Sequence, residues 1–253
     1  MKILAIDTAT EFCSAALYLD GQIVTRELEF DRGHAEHILP MVDEVLAAAA
    51  LSPHALDALA FGRGPGGFTG VRMAASVVQG LAFAWERVVV PVSDLAAVAQ
   101  RALDLDAAGR VLVCNDARMQ EVYWGCFERG SNGLAVLVGL EHVGPASAVT
   151  LPAAWDAPAG RVSRTGGGEG GLDDGAVGAQ LGIVGVGRGF SAYPNLRVAV
   201  APRVRVLDDR LLPRATEIAK LAVPEVQAGR VVTAEEAIPV YLRDDVARPQ
   251  SRN

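Results

Sequence analysis

The sequence predicts an α/β protein built of two related lobes, and three observations carry that prediction. Apolar runs of strand length alternate with helical stretches through the first hundred residues, and a similar alternation restarts at Arg110. Asp20-Gly21 stands between two β-type runs, the composition of a tight hairpin turn. No repeat recurs at a period of about 20 to 50 residues, so a solenoid is excluded.

Taken in order, Ile3 to Ile6 is a short apolar strand that ends in Asp7-Thr8-Ala9-Thr10, and Cys13 to Leu19 leads through the Asp-Gly turn into Gln22-Ile23-Val24-Thr25. Residues 35–51 place Ile38, Leu39, Val42, Val45, Leu46 and Ala49 at helical spacing with acidic residues between them. Ala58 to Phe61 is a strand, Gly62 to Gly67 a glycine-rich turn, and Thr69 the expected N-cap of a helix running to Trp85. Val88 to Val92 is a further strand, and Ser93 or Asp94 caps a helix to about Leu103. The second half reads as strands at 111–115, 122–127, 134–140 and 182–187, then a helix over 214–227 and an extended tail over 237–243. The expected division is a first lobe over 1–108, with the 214–227 helix packing back on it, and a smaller lobe over 109–213. That second lobe carries a glycine-rich insertion at about 155–181, and a tail follows over 228–253.

Composition bounds the class. The 253 residues are 51% hydrophobic and 21% charged, with no run of about 18 apolar residues, so a membrane protein is not expected. Asp7 follows only four apolar residues, too few for a secretory signal, and the expected location is the cytoplasm. Cys13, Cys114 and Cys126 are odd in number and widely spaced, which fits buried thiols rather than a disulfide framework or a zinc knuckle. A net charge of −7 is not the footprint of a chain that grips nucleic acid by itself. The scattered arginines, 21 against two lysines, form no cluster.

Several motifs are candidates for chemistry. Gly62-Arg63-Gly64-Pro65-Gly66-Gly67-Phe68-Thr69 lacks the lysine of a phosphate loop, and Gly185-Val186-Gly187-Arg188-Gly189 lacks dinucleotide spacing. No G-x-S-x-G elbow occurs, and a protease nucleophile with its base cannot be assembled. His34 and His37 stand three residues apart at the start of a helix, a spacing that could share a metal with a carboxylate, but no third ligand is evident nearby and a solvated helix start is the favoured reading. No catalytic or metal-ligating residue is assigned. Asp7, Thr8, Gly66, Gly67 and Arg118 are the candidate nucleotide or anion contacts, each with a plain alternative: turn formation at Asp7 and Thr8, a tight connection at the glycines, and a salt-bridged turn of Asp116, Arg118 and Glu121.

The helix from Gly70 to Trp85 is interrupted only by Arg72, Ser76 and Gln79. A helix apolar nearly all round asks to be covered nearly all round, which one sheet in a small lobe does not do. The expected association surface joins Met41, Val45 and Ala48 to Val71, Ala74, Ala75, Val78 and Leu81. In that reading Met41 and Ala48 lie off the core stripe that Leu39, Val42 and Leu46 define.

Five segments carry a resemblance: Ile3 to Thr10, Gly64-Pro65-Gly66-Gly67-Phe68-Thr69-Gly70-Val71-Arg72, Pro91 to Leu95, Asp116-Ala117-Arg118-Met119-Gln120-Glu121-Val122-Tyr123, and Ile238-Pro239-Val240-Tyr241-Leu242-Arg243. In this order they resemble the TsaB family of bacterial subunits needed to make threonylcarbamoyladenosine in tRNA. Only about 155–181 departs from its pattern. The resemblance implies an actin-like, sugar-kinase-like (ASKHA) fold of two lobes with mixed sheets. It implies a non-catalytic activating and dimerising subunit, a homodimer when alone, that serves a TsaD-like catalytic subunit and a TsaE-like ATPase. Those partners hold the ATP or ADP and the divalent metal, and tRNA is met through the complex. The alternative is a free-standing actin-like kinase or phosphotransferase acting on a small molecule, which needs an intact phosphate constellation and a base such as Asp7.

Overall fold

The computed structural model describes residues 1–29, 33–155 and 182–243, so most of the glycine-rich stretch and the end of the tail lie outside the described residues. The first half runs β1 (Lys2–Asp7), β2 (Phe12–Leu19), β3 (Gln22–Glu29), α1 (His34–Ala48), β4 (Ala58–Gly62), α2 (Phe68–Trp85), β5 (Val88–Val92) and α3 (Asp94–Leu105). The second runs β6 (Arg110–Arg118), β7 (Glu121–Arg129), β8 (Ala135–Pro145), β9 (Ile183–Val186), α4 (Gly189–Ala192), α5 (Pro194–Val200), β10 (Val204–Asp208) and α6 (Ala215–Gln227).

The strands form two sheets, ordered β3-β2-β1-β4-β5 and β10-β9-β6-β7-β8. Each opens on an antiparallel meander of three strands and continues through two parallel ones, so the second sheet repeats the topology of the first. The first hairpin turns at Asp20 and Gly21, both at positive φ, as an Asp-Gly pair permits.

Successive side chains of β1 alternate between two covered faces. Leu4 and Ile6 join Leu17, Leu59 and Phe61 beneath α1 and α2, while Ile3 and Ala5 join Ala16, Ala60 and Val90 beneath α6. Small residues on both partners let α6 approach closely: Ala215, Ala219 and Ala222 lie in the same cluster as Ala5, Ala16 and Ala60. The amide of Ala215 donates to Ser14 Oγ at 2.9 Å. Leu95, Val98, Ala99 and Ala102 of α3 pack on Val111, Val113, Phe127 and Val184, and α3 also touches α6. The far side of the second sheet carries Phe190, Leu196 and Val200 of α4 and α5. The layers are therefore α1 and α2, first sheet, α6 and α3, second sheet, α4 and α5. Full burial of a large apolar side chain in these layers is worth about 2 kcal/mol. No helix among the described residues is long and apolar enough to cross a membrane.

Three details differ from the sequence reading. The buried stripe of α1 is Ile38, Met41, Val42, Val45 and Leu46, so Met41 is inside and Leu39 is 48% exposed, the reverse of the expectation. The i, i+3, i+4, i+7, i+8 set counted from Ile38 contains Met41 and leaves Leu39 about 100° away. The N-cap of α2 is Gly67, not Thr69, because the Gly67 amide is tied to Ala9 O at 2.7 Å and Phe68 already starts the helix. The short helices α4 and α5 and the strand β10 were not foreseen, since four to seven residues span too little for periodicity to declare itself.

Candidate functional site

The C-terminal ends of β1 and β4 and the start of α3 meet at a pair of carboxyl groups. Asp7 closes β1, Asp94 opens α3, and both side chains are fully buried. Gly62 lies over them: a Cβ there would overlap Oδ1 of Asp94 and sit 2.7 Å from Oδ1 of Asp7. Oδ1 of Asp7 accepts from the Ala9 amide at 2.9 Å, and Oδ2 of Asp94 accepts from the Gly64 amide at 2.5 Å. The remaining oxygens, Asp7 Oδ2 and Asp94 Oδ1, have no donor among the described residues. Burial pushes the Asp7 carboxyl up to about 6, against the opposing hydrogen bonds of Ala9, Asp94 and Thr8. Asp94 is raised well above the carboxylate range, first by burial and then by the Asp7 charge. Both shifts run the same way, toward a proton retained by this buried pair.

The surrounding donors are occupied from within. Thr8 Oγ1 donates to Gly70 O at 2.7 Å, and the Gly67 amide is bound to Ala9 O. Gly70 and Gly66 are needed for this closure, since a Cβ on Gly70 would collide with Thr8 O and one on Gly66 would lie 2.8 Å from Ala9 O. Ser93 caps α3 through the Leu95 and Ala96 amides and donates its hydroxyl to Glu141, whose carboxyl burial raises and Arg63 lowers. Asp94 and Glu141 thus belong to the site, although by sequence Asp94 reads only as a helix cap and Glu141 carries no motif. The first lay within a quoted motif, Pro91 to Leu95; nothing local marks the second.

Arg118 is elsewhere. It sits in the β6–β7 turn, where Arg118, Met119 and Gln120 all have positive φ, with its guanidinium 3.3 Å from Asp116. Asp116 also accepts from the Tyr193 hydroxyl at 2.9 Å, and Glu121 pairs with Arg243. Of the five candidate anion contacts, Asp7, Thr8, Gly66 and Gly67 are therefore brought together and Arg118 is not. His34 rests on Thr10 O at 2.8 Å, and no group of three potential metal ligands occurs among the described residues. The three thiols are buried; Cys13 and Cys126 are pushed up to about 12, and Cys114 rises as well, all chiefly by burial.

The expected association surface divides in two. Met41, Val45, Val71, Ala74, Ala75 and Val78 belong to the lobe's own core and have no free face for a partner. Ala48 is exposed and Leu81 half-buried. The outward side of α2 consists of Arg72, Ser76, Gly80, Phe83 and Ala84, with Phe83 74% exposed beside a shallow hollow lined by Ser76, Gln79, Gly80, Ala234 and Glu235.

Residues 28–250 match the family model described as TsaD, tRNA N6-adenosine threonylcarbamoyltransferase. The tRNA threonylcarbamoyladenosine biosynthesis protein TsaB of Escherichia coli K12 is 38% identical over 247 residues, covering 98% of this chain and 96% of that protein. The TsaB protein of Haemophilus influenzae is 49% identical over 124 residues, 49% of this chain and 52% of that one. A crystal structure from Pseudomonas aeruginosa, of an uncharacterized protein with similarity to peptidase YEAZ, superposes with a TM-score of 0.79 at 42% identity, covering 96% of this chain and 99% of that one. A second, described as YeaZ from the same organism, gives 0.78 at 42% identity, over 95% and 99% of the two chains. The actin-like α/β architecture implied by the five motifs is the fold observed. Aligned nearly end to end with the Escherichia coli protein and lying within the wider family of the TsaD model, the chain belongs to the TsaB family.

Proposed function

We propose that the chain is a non-catalytic activating subunit for threonylcarbamoylation of N6 of the adenosine beside the anticodon in tRNA. It serves a TsaD-like catalytic subunit together with a TsaE-like ATPase. The observation that carries this reading is the closure of the phosphate end. An actin-like phosphotransferase needs a reachable carboxylate after its first strand and free amides beside it. Here Asp7 is fully buried against Asp94, while Thr8 and Gly67 are bonded to Gly70 and Ala9. Nucleotide and divalent metal then belong to the partners.

The outward stripe of α1 and α2 suits docking. Leu39, Ala47 and Ala48 on one helix and Gly80, Phe83 and Ala84 on the other offer small residues for close approach and an aromatic anchor. This surface supports a homodimer when the chain is alone and a heterodimer when the catalytic subunit is present. The net charge of −7 favours reaching tRNA through that partner.

The test is reconstitution of threonylcarbamoyl transfer to tRNA from the purified partners with and without this chain, beside an ATPase assay of the chain alone. Transfer that requires the chain, with no turnover by the chain itself, is the expected result. Independent phosphoryl transfer to a small substrate, with no effect on tRNA, would replace the reading with a kinase.

A further inference from the structure

Three of the segments that carry the family resemblance meet at one surface: the start of α2, the β6–β7 turn and the tail. The Val240 amide donates to Arg63 O at 2.8 Å, and Arg243 pairs with Glu121, donates to Ala117 O at 3.2 Å and lies 3.6 Å from Met119 Sδ. At its centre the Arg72 guanidinium stacks 3.3 Å from the Phe68 ring centroid and 5.4 Å from that of Tyr241, and its Nε donates to the Tyr241 hydroxyl at 2.7 Å. Phe68 is 56% exposed, Tyr241 48%, Ile238 60% and Met119 71%. Among the described residues no carboxylate pairs with Arg72, whereas Arg118 and Arg243 on the same surface are neutralised by Asp116 and Glu121.

We propose that Phe68, Arg72 and Tyr241 form a preformed clamp for an aspartate or glutamate of a protein partner, set between apolar side chains that cover Ile238 and Met119. The chemistry selects this occupant. The guanidinium rests on the Phe68 ring and is tethered through Nε to the Tyr241 hydroxyl, which leaves its two Nη groups uncommitted among the described residues, the fork that matches a carboxylate, and reduces the side-chain freedom lost on binding. Exposed aromatic, methionine and arginine residues together are the composition of protein interface cores. RNA is disfavoured, because one uncompensated cation neutralises at most one phosphate, and the guanidinium already covers the Phe68 face on which a base would stack.

The inference rests on the docking reading above and commits to the TsaD-family transferase as the partner. The experiment titrates that purified transferase with the full chain, unaltered and as R72E, R72K and F68A, at two salt concentrations. R72E is expected to weaken binding about 30-fold or more, as an anchor residue does. R72K should fall between R72E and the unaltered chain, since it keeps the charge but loses the planar stack, and R72E should show a weaker salt dependence. Arg72 is exposed, so the variants should keep the unaltered melting temperature; F68A tests the clamp without touching charge. No binding by the unaltered chain would sink the docking reading itself. Tight binding that R72E and F68A leave unchanged would sink the clamp alone. R72E that dissociates a dimer of this chain, or weakens an anticodon stem-loop RNA, while sparing the transferase would overturn the proposed occupant.

Discussion

The Asp94 carboxyl lies against the Asp7 carboxyl beneath the Cα of Gly62, and both are sealed from water. The end of the first strand and the start of the third helix meet there, and burial favours a proton kept by the pair.

Stability should therefore fall as pH rises. The folded state holds a proton that the unfolded chain gives up near 3.8, so Asp7 contributes fully below that value and loses its contribution as pH climbs through about 6. Asp94 extends the loss to higher pH, with Glu141, itself raised, adding to the crowding of charge. From the Asp7 shift alone the full change is about 3 kcal/mol, of which roughly half falls between pH 5 and 9. Denaturant unfolding at pH 5, 7 and 9 measures it. Asp94→Asn, whose amide can donate to Asp7 in place of the proton, should flatten the profile; a profile equally steep in that variant would refute the shared proton.

Gly70 and Gly80 sit on one helix and should respond in opposite ways. Gly70→Ala drives a methyl into Thr8 O and should cost about 2 kcal/mol or more. Gly80→Ala meets nothing within 4 Å and should raise stability by about 0.5 to 1 kcal/mol. Thermal melts of the two variants decide the sign. If the hollow beside Phe83 receives a partner helix, Gly80→Ala should also weaken association while strengthening the fold.

A charge on α2 should separate docking from folding. Phe83→Glu changes an exposed residue and should shift stability by less than about 0.5 kcal/mol while reducing partner binding. Val78→Glu places a carboxylate where exposure is zero and should unfold the first lobe outright. Circular dichroism beside a binding titration distinguishes the two; loss of folding in the Phe83 variant would contradict the exposed placement.

The thiols should be silent in the native chain. Cys13, Cys114 and Cys126 are buried and their ionisation is pushed up by burial, so an aromatic disulfide reagent at pH 8 should label none, and all three after addition of guanidinium. Rapid labelling of any one without denaturant would show local opening.

The chain announces its sheets more clearly than its surfaces. Asp20-Gly21 fixed a hairpin by its own chemistry, and the run from Ile3 to Ile6 is apolar because both of its faces are covered. What could not be read was which side of a helix with few polar residues turns inward: Leu39 and Met41 exchange roles, and six of the eight residues assigned to association are core. The site was half legible. Asp7, Thr8, Gly66 and Gly67 lie together as neighbours in two motifs, but Asp94 and Glu141 arrive through sheet order and helix packing, contacts across 30 or more residues that no local pattern records.

The placement of α6 has a consequence for biosynthesis. It covers the inner face of a sheet whose last strand ends at Val92, yet its first residue is Ala215. During translation the first lobe must wait, with Ile3, Ala5, Ala16, Ala60 and Val90 uncovered, until the ribosome has released more than a hundred further residues. A gene fragment ending before Arg214 encodes every strand of both sheets and leaves the first without its lining, so such a truncation should accumulate as insoluble protein rather than as a smaller soluble one.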